Sequence, residues 1–168
     1  MRAYKFLTEG GVAVFSRFAW PLPNGGAGPW VESEVEPCRA GIHACRAGDL
    51  PYWVAPALYE IELDGGVDGL AVKVVAPRGR LLRRVERWDT GAQEEYAGMC
   101  VARVRELAAG APELPAGWAP SSLHASPAAC AHLGFVAARI AEELGGSEAY
   151  HAERRRQSAW LVERLGLD

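Results

Sequence analysis

The sequence predicts an α+β protein: a small, mostly antiparallel sheet in residues 1–90, packed by three C-terminal helices. Residues 1–90 hold short runs of alternating apolar and polar residues between glycines and prolines, a pattern typical of strands and turns. Residues 91–168 instead repeat apolar residues at the spacing of amphipathic helices. We expect the β-rich core and the helical extension to pack together as one domain.

The clearest predicted strand is 58–63, in which three apolar residues alternate with Glu60 and Glu62. The apolar side chains of such a strand face a core, and the carboxylates face solvent. A short helix is predicted at 49–54, with Asp49 as its N-cap. Further strands are predicted at 4–7, 12–20, 41–45, 72–75 and 80–88.

Three helices are predicted in the second part of the chain, and the first covers 92–109. The second begins at Ser126 and Pro127, because a capping hydroxyl followed by proline is typical of a helix start. Two consecutive glycines end it, since glycine readily adopts the backbone conformation that terminates helices. The third helix is predicted over 147–165.

The composition argues against two classes of partner. A net charge of −3 disfavours sequence-independent binding to nucleic acid, which requires a strong basic excess. No apolar run approaches the roughly 18 residues that span a bilayer, and the N-terminus lacks the features of a signal peptide. Four cysteines without an export signal predict reduced thiols and a cytoplasmic location.

The main candidate site is the run from Cys38 to Cys45, which places two thiols and the imidazole of His43 close together in the sequence. If 41–45 is extended, His43 and Cys45 point to the same face, and Cys38 can fold back toward them. Thiolates and imidazoles are ligands of zinc. The sequence therefore allows a zinc site at Cys38, His43 and Cys45. The alternative is two buried thiols beside a hydrogen-bonded histidine.

The same segment offers groups for catalysis. The ordinary pKa of histidine, about 6.5, suits proton transfer near neutral pH. His43 is therefore the candidate general acid or base, and Cys45 is the candidate nucleophile. Trp53, in the short helix that follows, is a candidate wall of an aromatic-lined ligand pocket. The alternative for His43 is a structural role in the core.

Charged residues on two strands form a second candidate ligand site. Glu60 and Glu62 project from one strand face, and paired carboxylates can share a proton or bind a cation. Arg78 and Arg80 begin a run of arginines whose guanidiniums suit phosphate or carboxylate groups. Strict alternation puts Arg80 and Arg83 on opposite faces. The alternative is a solvated edge strand paired with the acidic strand.

Residues 1–90 resemble a short domain found in phage and bacterial proteins. Its marks are a Gly-(Phe/Ile)-His-x-Cys core with an upstream cysteine, a short helix, an acidic-apolar strand and a Lys-Val-Val strand. The resemblance covers about half of the chain and implies no particular reaction. The matching positions here are Cys38, 41–45, 49–54, 59–65 and 72–75.

The order of strand 41–43, short helix and acidic-apolar strand also looks like the middle of the ADP-ribosyltransferase fold. In that superfamily a Gly-Ile-Tyr strand stacks the nicotinamide, and His43 stands here at the tyrosine position. The first strand has Tyr4-Lys5-Phe6 where the superfamily presents a catalytic histidine or arginine. The likeness implies a stacking or acid/base role for His43.

Together these features predict a small cytoplasmic protein with a ligand pocket around His43, Cys45 and Trp53. The favoured interpretation is an enzyme acting on a small anionic or nucleotide-like molecule. One alternative is an interaction or regulatory module, in which the helical part binds a protein partner or a second copy. Arg154 and Gln157 interrupt an apolar stripe on the last helix, which predicts a buried hydrogen-bond network or such a surface. The other alternative is a small zinc-site protein.

Overall fold

The computed structural model of the protein describes residues 1–36, 40–110 and 118–167. The chain divides into two compact units, Met1–Glu86 and Arg87–Asp168. In the described ranges the first unit holds the strands and the second holds the long helices, which confirms the predicted α+β class. Packing of the two parts as one domain stays a prediction.

The strands of the first unit form two small antiparallel sheets instead of the single sheet expected. Within the described residues the strands are β1 (Arg2–Leu7), β2 (Val31–Glu32), β3 (Ile42–Ala44), β4 (Ala57–Asp64), β5 (Asp68–Leu70), β6 (Lys73–Ala76) and β7 (Arg78–Arg84). One sheet has the order β1-β4-β7-β2 and the other β3-β6-β5. Directly after β3 the chain forms an isolated bridge to β1, in which the amides of Tyr4 and Cys45 each donate to the other's carbonyl oxygen at 2.8 Å.

The central strand β4 follows the predicted alternation. Tyr59, Ile61 and Leu63 are buried in the apolar core, whereas Glu60 and Glu62 remain partly exposed on the other face. Burial of one face of a strand fixes its register, because a slip by one residue would bring the carboxylates into the core. This strand therefore anchors the larger sheet between β1 and β7.

The predicted strand 12–20 is wrong, because this segment folds back on itself. Its strand pairing is limited to a bridge between Val12 and Ala19, and the Ala13 amide donates to the Phe18 carbonyl oxygen at 2.9 Å. Arg17 has φ of 59°, a left-handed conformation that a strand does not contain. The run of apolar residues reflects a loop with exposed aromatic side chains, not a buried strand face.

The alternation predicted for β7 is also wrong, because the strand contains a bulge. Glu62 pairs with Arg80 and Glu60 with Arg83, so the register shifts by one residue between them. An extra residue in one strand reverses the faces of all residues beyond it. Arg80 and Arg83 therefore lie on the same face. The predicted pairing of this strand with β4 is confirmed, but β7 is not an edge strand, because β2 pairs with its first residues.

A short 3-10 helix, Ala47–Tyr52, follows β3 as predicted, with a different start. The residue at the N-cap position is Arg46, and Asp49 lies within the first turn instead of capping it. The Asp49 carboxylate accepts a hydrogen bond from Arg46 Nε at 2.6 Å. The helix buries Leu50 and Pro51.

The second unit contains helices α1 (Thr90–Ala108) and α2 (Cys130–Leu165). The backbone of α2 leaves the helical region at Gly145 and Gly146, and Gly146 has φ of 71°. This break divides α2 into two helical segments, so the three expected helical segments are present. The predicted helix start at Ser126 is instead followed by a single 3-10 turn before α2 begins.

A buried polar network connects α1 and α2. Gln157 is fully buried, and its Nε2 donates to the Glu153 carboxylate at 3.0 Å. Glu153 also accepts from Arg103 Nε at 3.0 Å and from Arg156 Nη2 at 2.7 Å. Arg154 is buried beside them and donates to Gln157 Oε1 at 3.0 Å. Of the two outcomes predicted for this stripe, the structure shows the buried network.

None of the helices in the described ranges is both long and apolar enough to cross a membrane.

Gly41, at the start of β3, is required by both conformation and space. Its φ of 116° is unfavourable for any other residue, and an added Cβ would lie 2.5 Å from Val75 Cγ2. We expect Gly41→Ala to lower the free energy of unfolding by about 1–3 kcal/mol in urea denaturation. Gly48→Ala is the matched control, because a Cβ there meets no atom within 4 Å. An equal loss in both variants would contradict this explanation.

Candidate functional site

His43 projects from the face of β3 opposite to the buried Ile42 and Ala44. Its side chain is half-buried, and its Nε2 atom is buried without a hydrogen-bond partner among the described residues. Burial lowers the pKa of His43 below its ordinary 6.5, and the nearby charges of Lys73 and Lys5 lower it further. The imidazole is therefore neutral near pH 7, with one ring nitrogen unsatisfied by the protein.

Lys5 reaches the same place from β1. Its Nζ donates to the carbonyl oxygen of His43 at 2.5 Å and lies 4.9 Å from the centre of the Trp20 ring. Burial lowers the pKa of Lys5 from 10.5 to about 8, and the Cys45 thiol opposes this shift only in part. The lysine is thus held between the His43 carbonyl oxygen and the face of Trp20, and burial disfavours its charge.

Lys73 approaches from the opposite side, on β6, which pairs with β3. Its Nζ lies 5.8 Å from the centre of the Trp53 ring. The indole of Trp53 is held in place by a hydrogen bond from Nε1 to the carbonyl oxygen of Val72 at 2.6 Å. Phe15, from the exposed loop, packs edge-on against Trp53 at a ring-centre distance of 6.0 Å. Two tryptophans and two lysines therefore surround the strand of His43.

The charges of these lysines are uncompensated, in contrast to those of the nearby arginines. Lys5 and Lys73 are the only lysines in the sequence, and neither has a carboxylate partner in the part of the chain that the structure describes. Uncompensated positive charge attracts anions. Five arginines of the same unit pair instead with carboxylates: Arg46 with Asp49, Arg78 with Glu32 and Asp64, Arg80 with Glu62, Arg83 with Glu60, and Arg84 with Glu9.

The predicted ligand residues Arg78, Arg80, Glu60 and Glu62 form a ladder of ion pairs on one sheet face. Arg80 Nη2 lies 2.7 Å from Glu62 Oε2, and Arg83 contacts Glu60. The guanidiniums of Arg78 and Arg80 both lie over the Trp30 ring, at 4.6 and 4.7 Å from its centre. These groups pair with one another, as expected for the alternative of a solvated strand face, except that Arg78 Nε is buried without a hydrogen-bond partner among the described residues.

Cys45 is buried, and its Sγ donates to the Tyr4 carbonyl oxygen at 3.4 Å. Burial raises the pKa of its thiol from 9.0 to about 12, and the Asp49 charge adds to this. The thiol is therefore protonated near neutral pH, which argues against the predicted nucleophilic role because thiolate is the reactive form. The structure places Cys45 beside His43 as a small buried packing group.

The predicted zinc site depends on Cys38, which lies outside the described residues. Among the residues that the structure does describe, no group of three or more histidine, cysteine, aspartate or glutamate side chains is gathered closely enough to hold a metal ion. His43 and Cys45 alone supply two ligands, fewer than zinc requires.

Sequence reasoning found His43 and Trp53 but missed Lys5, Lys73 and Trp20. The sequence does offer one signal for the lysines, since the chain contains two lysines among many arginines and both lie in the β-rich part. Their approach to His43 depends on the bridge between Tyr4 and Cys45 and on the pairing of β3 with β6, which alternation alone does not predict.

Two open cavities among the described residues lie elsewhere, in the helical unit. One, of about 350 Å³, is lined by residues that include Arg103, Glu153 and Arg156, and the other, of about 570 Å³, includes Trp118 and Phe135. Neither includes His43.

Comparison of the chain with models of protein families, with curated proteins and with solved structures finds no match in any of the three.

Proposed function

We propose that the β-rich unit binds a small anionic molecule at the lysine–histidine site, defined as Lys5, His43 and Lys73 with Trp20 and Trp53. The observation that carries this proposal is the pair of lysines without carboxylate partners among the described residues, on the strands that flank His43. An uncompensated ammonium whose charge acts on an unsatisfied imidazole favours an anionic ligand, whose oxygens accept hydrogen bonds from both.

The aromatic rings favour a ligand with a planar part. Trp53 is fixed by its hydrogen bond to Val72, and its neighbour Phe15 is 83% exposed, so that a planar group can pack against either ring. The likeness to the ADP-ribosyltransferase fold supports the same choice, a nucleotide-like molecule. In such a complex the neutral His43 imidazole would stack on the ligand or exchange a proton with it.

We also propose a cytoplasmic location. Cys45, Cys100 and Cys130 are buried free thiols. Free thiols are the usual state of cysteine in a reducing compartment, which supports this location.

Titration calorimetry with AMP, ADP and inorganic pyrophosphate tests the binding proposal. We expect saturable binding of at least one of these anions, and we expect Lys73→Ala to weaken it about tenfold or more through loss of a charge-assisted contact. Arg83→Ala is the control, because it removes a cation of the same unit that pairs with Glu60. Binding should also weaken with added salt.

The proposal is wrong if none of the three anions binds. It is also wrong if Arg83→Ala weakens binding as strongly as Lys73→Ala, since that result would indicate a general effect of net charge.

The last helix offers less support for a partner-binding function. Leu161 and Leu165, which would have to be exposed to form an apolar partner surface on this helix, are buried within the helical unit. We therefore base the proposal on the β-rich unit alone.

A further inference from the structure

We propose that the aromatic loop, defined as residues 14–22, attaches the β-rich unit to an anionic lipid surface. The loop lies between β1 and β2. It would place apolar side chains among the lipids, with the Arg17 guanidinium at their phosphate groups. This inference does not depend on the proposed ligand site and adds a second function to the same unit.

The aromatic loop exposes several large apolar side chains to solvent. Phe15 is 83% exposed, and the exposed fractions of Val14, Phe18 and Leu22 are 40%, 45% and 43%. Apart from this loop, the exposed large apolar residues described in the β-rich unit are Met1 and Val35. Single exposed apolar residues are common, but several of them on one short loop indicate a surface that another molecule covers.

Hydrogen bonds within the chain fix the shape of this loop. The Arg17 amide donates to the Ala13 carbonyl oxygen at 3.0 Å, and the Trp20 amide donates to the Gly11 carbonyl oxygen at 3.0 Å. Arg17 has φ of 59°, a conformation that is unfavourable for residues other than glycine and is often retained at functional positions. A loop that is already ordered loses little conformational entropy when its side chains become buried elsewhere.

The charges around the loop favour an anionic surface. Arg17 is the only charged residue in the range 10–31, and it has no carboxylate partner among the described residues. Lys73, which also lacks such a partner there, lies 5.8 Å from the ring centre of Trp53, the ring against which Phe15 packs. The β-rich unit contains ten acidic and ten basic residues, so it has no net charge to repel anionic lipids.

A lipid surface fits these features better than a protein does. A stable protein interface takes about 20–30 residues from each partner, whereas the apolar side chains here come from a few positions of one loop. A fluid bilayer surface accepts a small apolar projection, and its anionic lipids attract nearby cations. A second copy of the chain is disfavoured, because it would bring two Arg17 side chains together without a carboxylate from either loop.

Sedimentation with lipid vesicles tests the inference on the full-length protein. One set of vesicles is phosphatidylcholine, and the other contains equal amounts of phosphatidylcholine and phosphatidylserine. We expect reversible binding that is stronger on the mixed vesicles and weakens with added salt. Phe15→Ser should lower the partition coefficient about tenfold through loss of one buried aromatic ring. Phe135→Ser is the matched control, because it removes an exposed phenylalanine of the helical unit.

A second pair of variants tests the part played by charge. Arg17→Ala should lower the partition coefficient on the mixed vesicles about fivefold, because one basic residue near an anionic surface contributes about that much. Arg17→Lys keeps the charge and should bind these vesicles as the wild-type protein does. We expect the urea unfolding midpoint of Phe15→Ser to equal that of the wild-type protein, because Phe15 is exposed.

Four results would overturn the inference. The first is absence of binding to the mixed vesicles, and the second is equal binding to both kinds. The third is an equal loss of binding in Phe15→Ser and Phe135→Ser, or in Arg17→Ala and Arg17→Lys. The fourth is a wild-type dimer, measured by light scattering without lipid, that Phe15→Ser dissociates, since the loop would then contact a second copy of the chain.

Discussion

Glu153→Ala should lower the free energy of unfolding by about 3 kcal/mol, the expected cost of removing a buried charged acceptor from its hydrogen-bond donors. The Glu153 side chain is only 1% exposed and accepts hydrogen bonds from Arg103, Arg156 and Gln157. Its removal takes the carboxylate from Arg156 and one acceptor each from Arg103 and Gln157, which keep Glu106 and the Gly134 carbonyl oxygen. Loss of partners in a buried network is costly. Urea denaturation followed by circular dichroism measures the change.

Glu163→Ala is the matched control on the same helix. Glu163 is exposed, and we expect its replacement to change the free energy of unfolding by less than about 0.5 kcal/mol. Similar losses in the two variants would show that the effect comes from the helix backbone and not from the network.

The pH dependence of stability gives a second measurement of the same network. Burial by itself raises the pKa of Glu153, but the hydrogen bonds and charges of Arg156 and Arg103 outweigh it, so the pKa lies below its ordinary 4.5. A carboxylate whose pKa is lower in the folded state stabilises the fold above pH 4.5, and this contribution is lost as the pH falls through the folded-state value. Glu153→Gln should lack this acid-induced loss.

The parts of the fold that the sequence predicted correctly are those with local signals. In β4 the alternation of apolar residues with Glu60 and Glu62 determines which face is buried, and the structure agrees. The two glycines at 145 and 146 likewise predicted the break in α2, because Gly146 adopts a positive φ that other residues disfavour.

The errors concern features that depend on distant parts of the chain. The loop 12–20 has the composition of a strand, but its strand pairing is limited to the bridge between Val12 and Ala19, and it folds back at Arg17. The bulge in β7 depends on how Glu60 and Glu62 pair with the arginines opposite, and no pattern within β7 itself indicates it. Strand pairing across the sheet therefore decided both outcomes.

The candidate site likewise combines a local signal that the sequence shows with long-range contacts that it does not. The motif around His43 marked the correct strand, but the predicted cation partners, Arg78 and Arg80, are engaged in ion pairs on another sheet face. The lysines that approach His43 come from positions 38 residues upstream and 30 residues downstream of it. A local motif can identify a site, whereas its complete set of groups follows from the sheet topology.

Lys5→Met should raise the free energy of unfolding at pH 7 by about 2 kcal/mol, while abolishing anion binding at the lysine–histidine site. Methionine has nearly the length of lysine and can pack against Trp20 without the cost of burying a charge. Where a site keeps a group that destabilises the fold but is needed for function, we expect its replacement to stabilise the protein and to remove that function. Urea denaturation, together with the calorimetric titration of AMP, ADP and pyrophosphate, tests both parts.

The pH profile separates this explanation from a simple gain in packing. The pKa of Lys5 is about 8 in the folded protein and 10.5 for an ordinary lysine, so the unfolded chain binds more protons between these values. The destabilisation by Lys5, up to about 3 kcal/mol, is therefore complete below pH 8 and is relieved as the pH rises toward 10.5.

The thiols of Cys45 and Cys100, with pKa values raised to about 12, act in the opposite direction above pH 9 in both proteins. The effect of Cys100 cancels in the difference between wild type and Lys5→Met, but that of Cys45 does not cancel fully, because the charges of Cys45 and Lys5 interact. The difference should shrink steadily from pH 8 to pH 9, below the range in which the thiols act. A difference that stays constant over this range would mean that the gain comes from packing, and that burial does not disfavour the charge of Lys5.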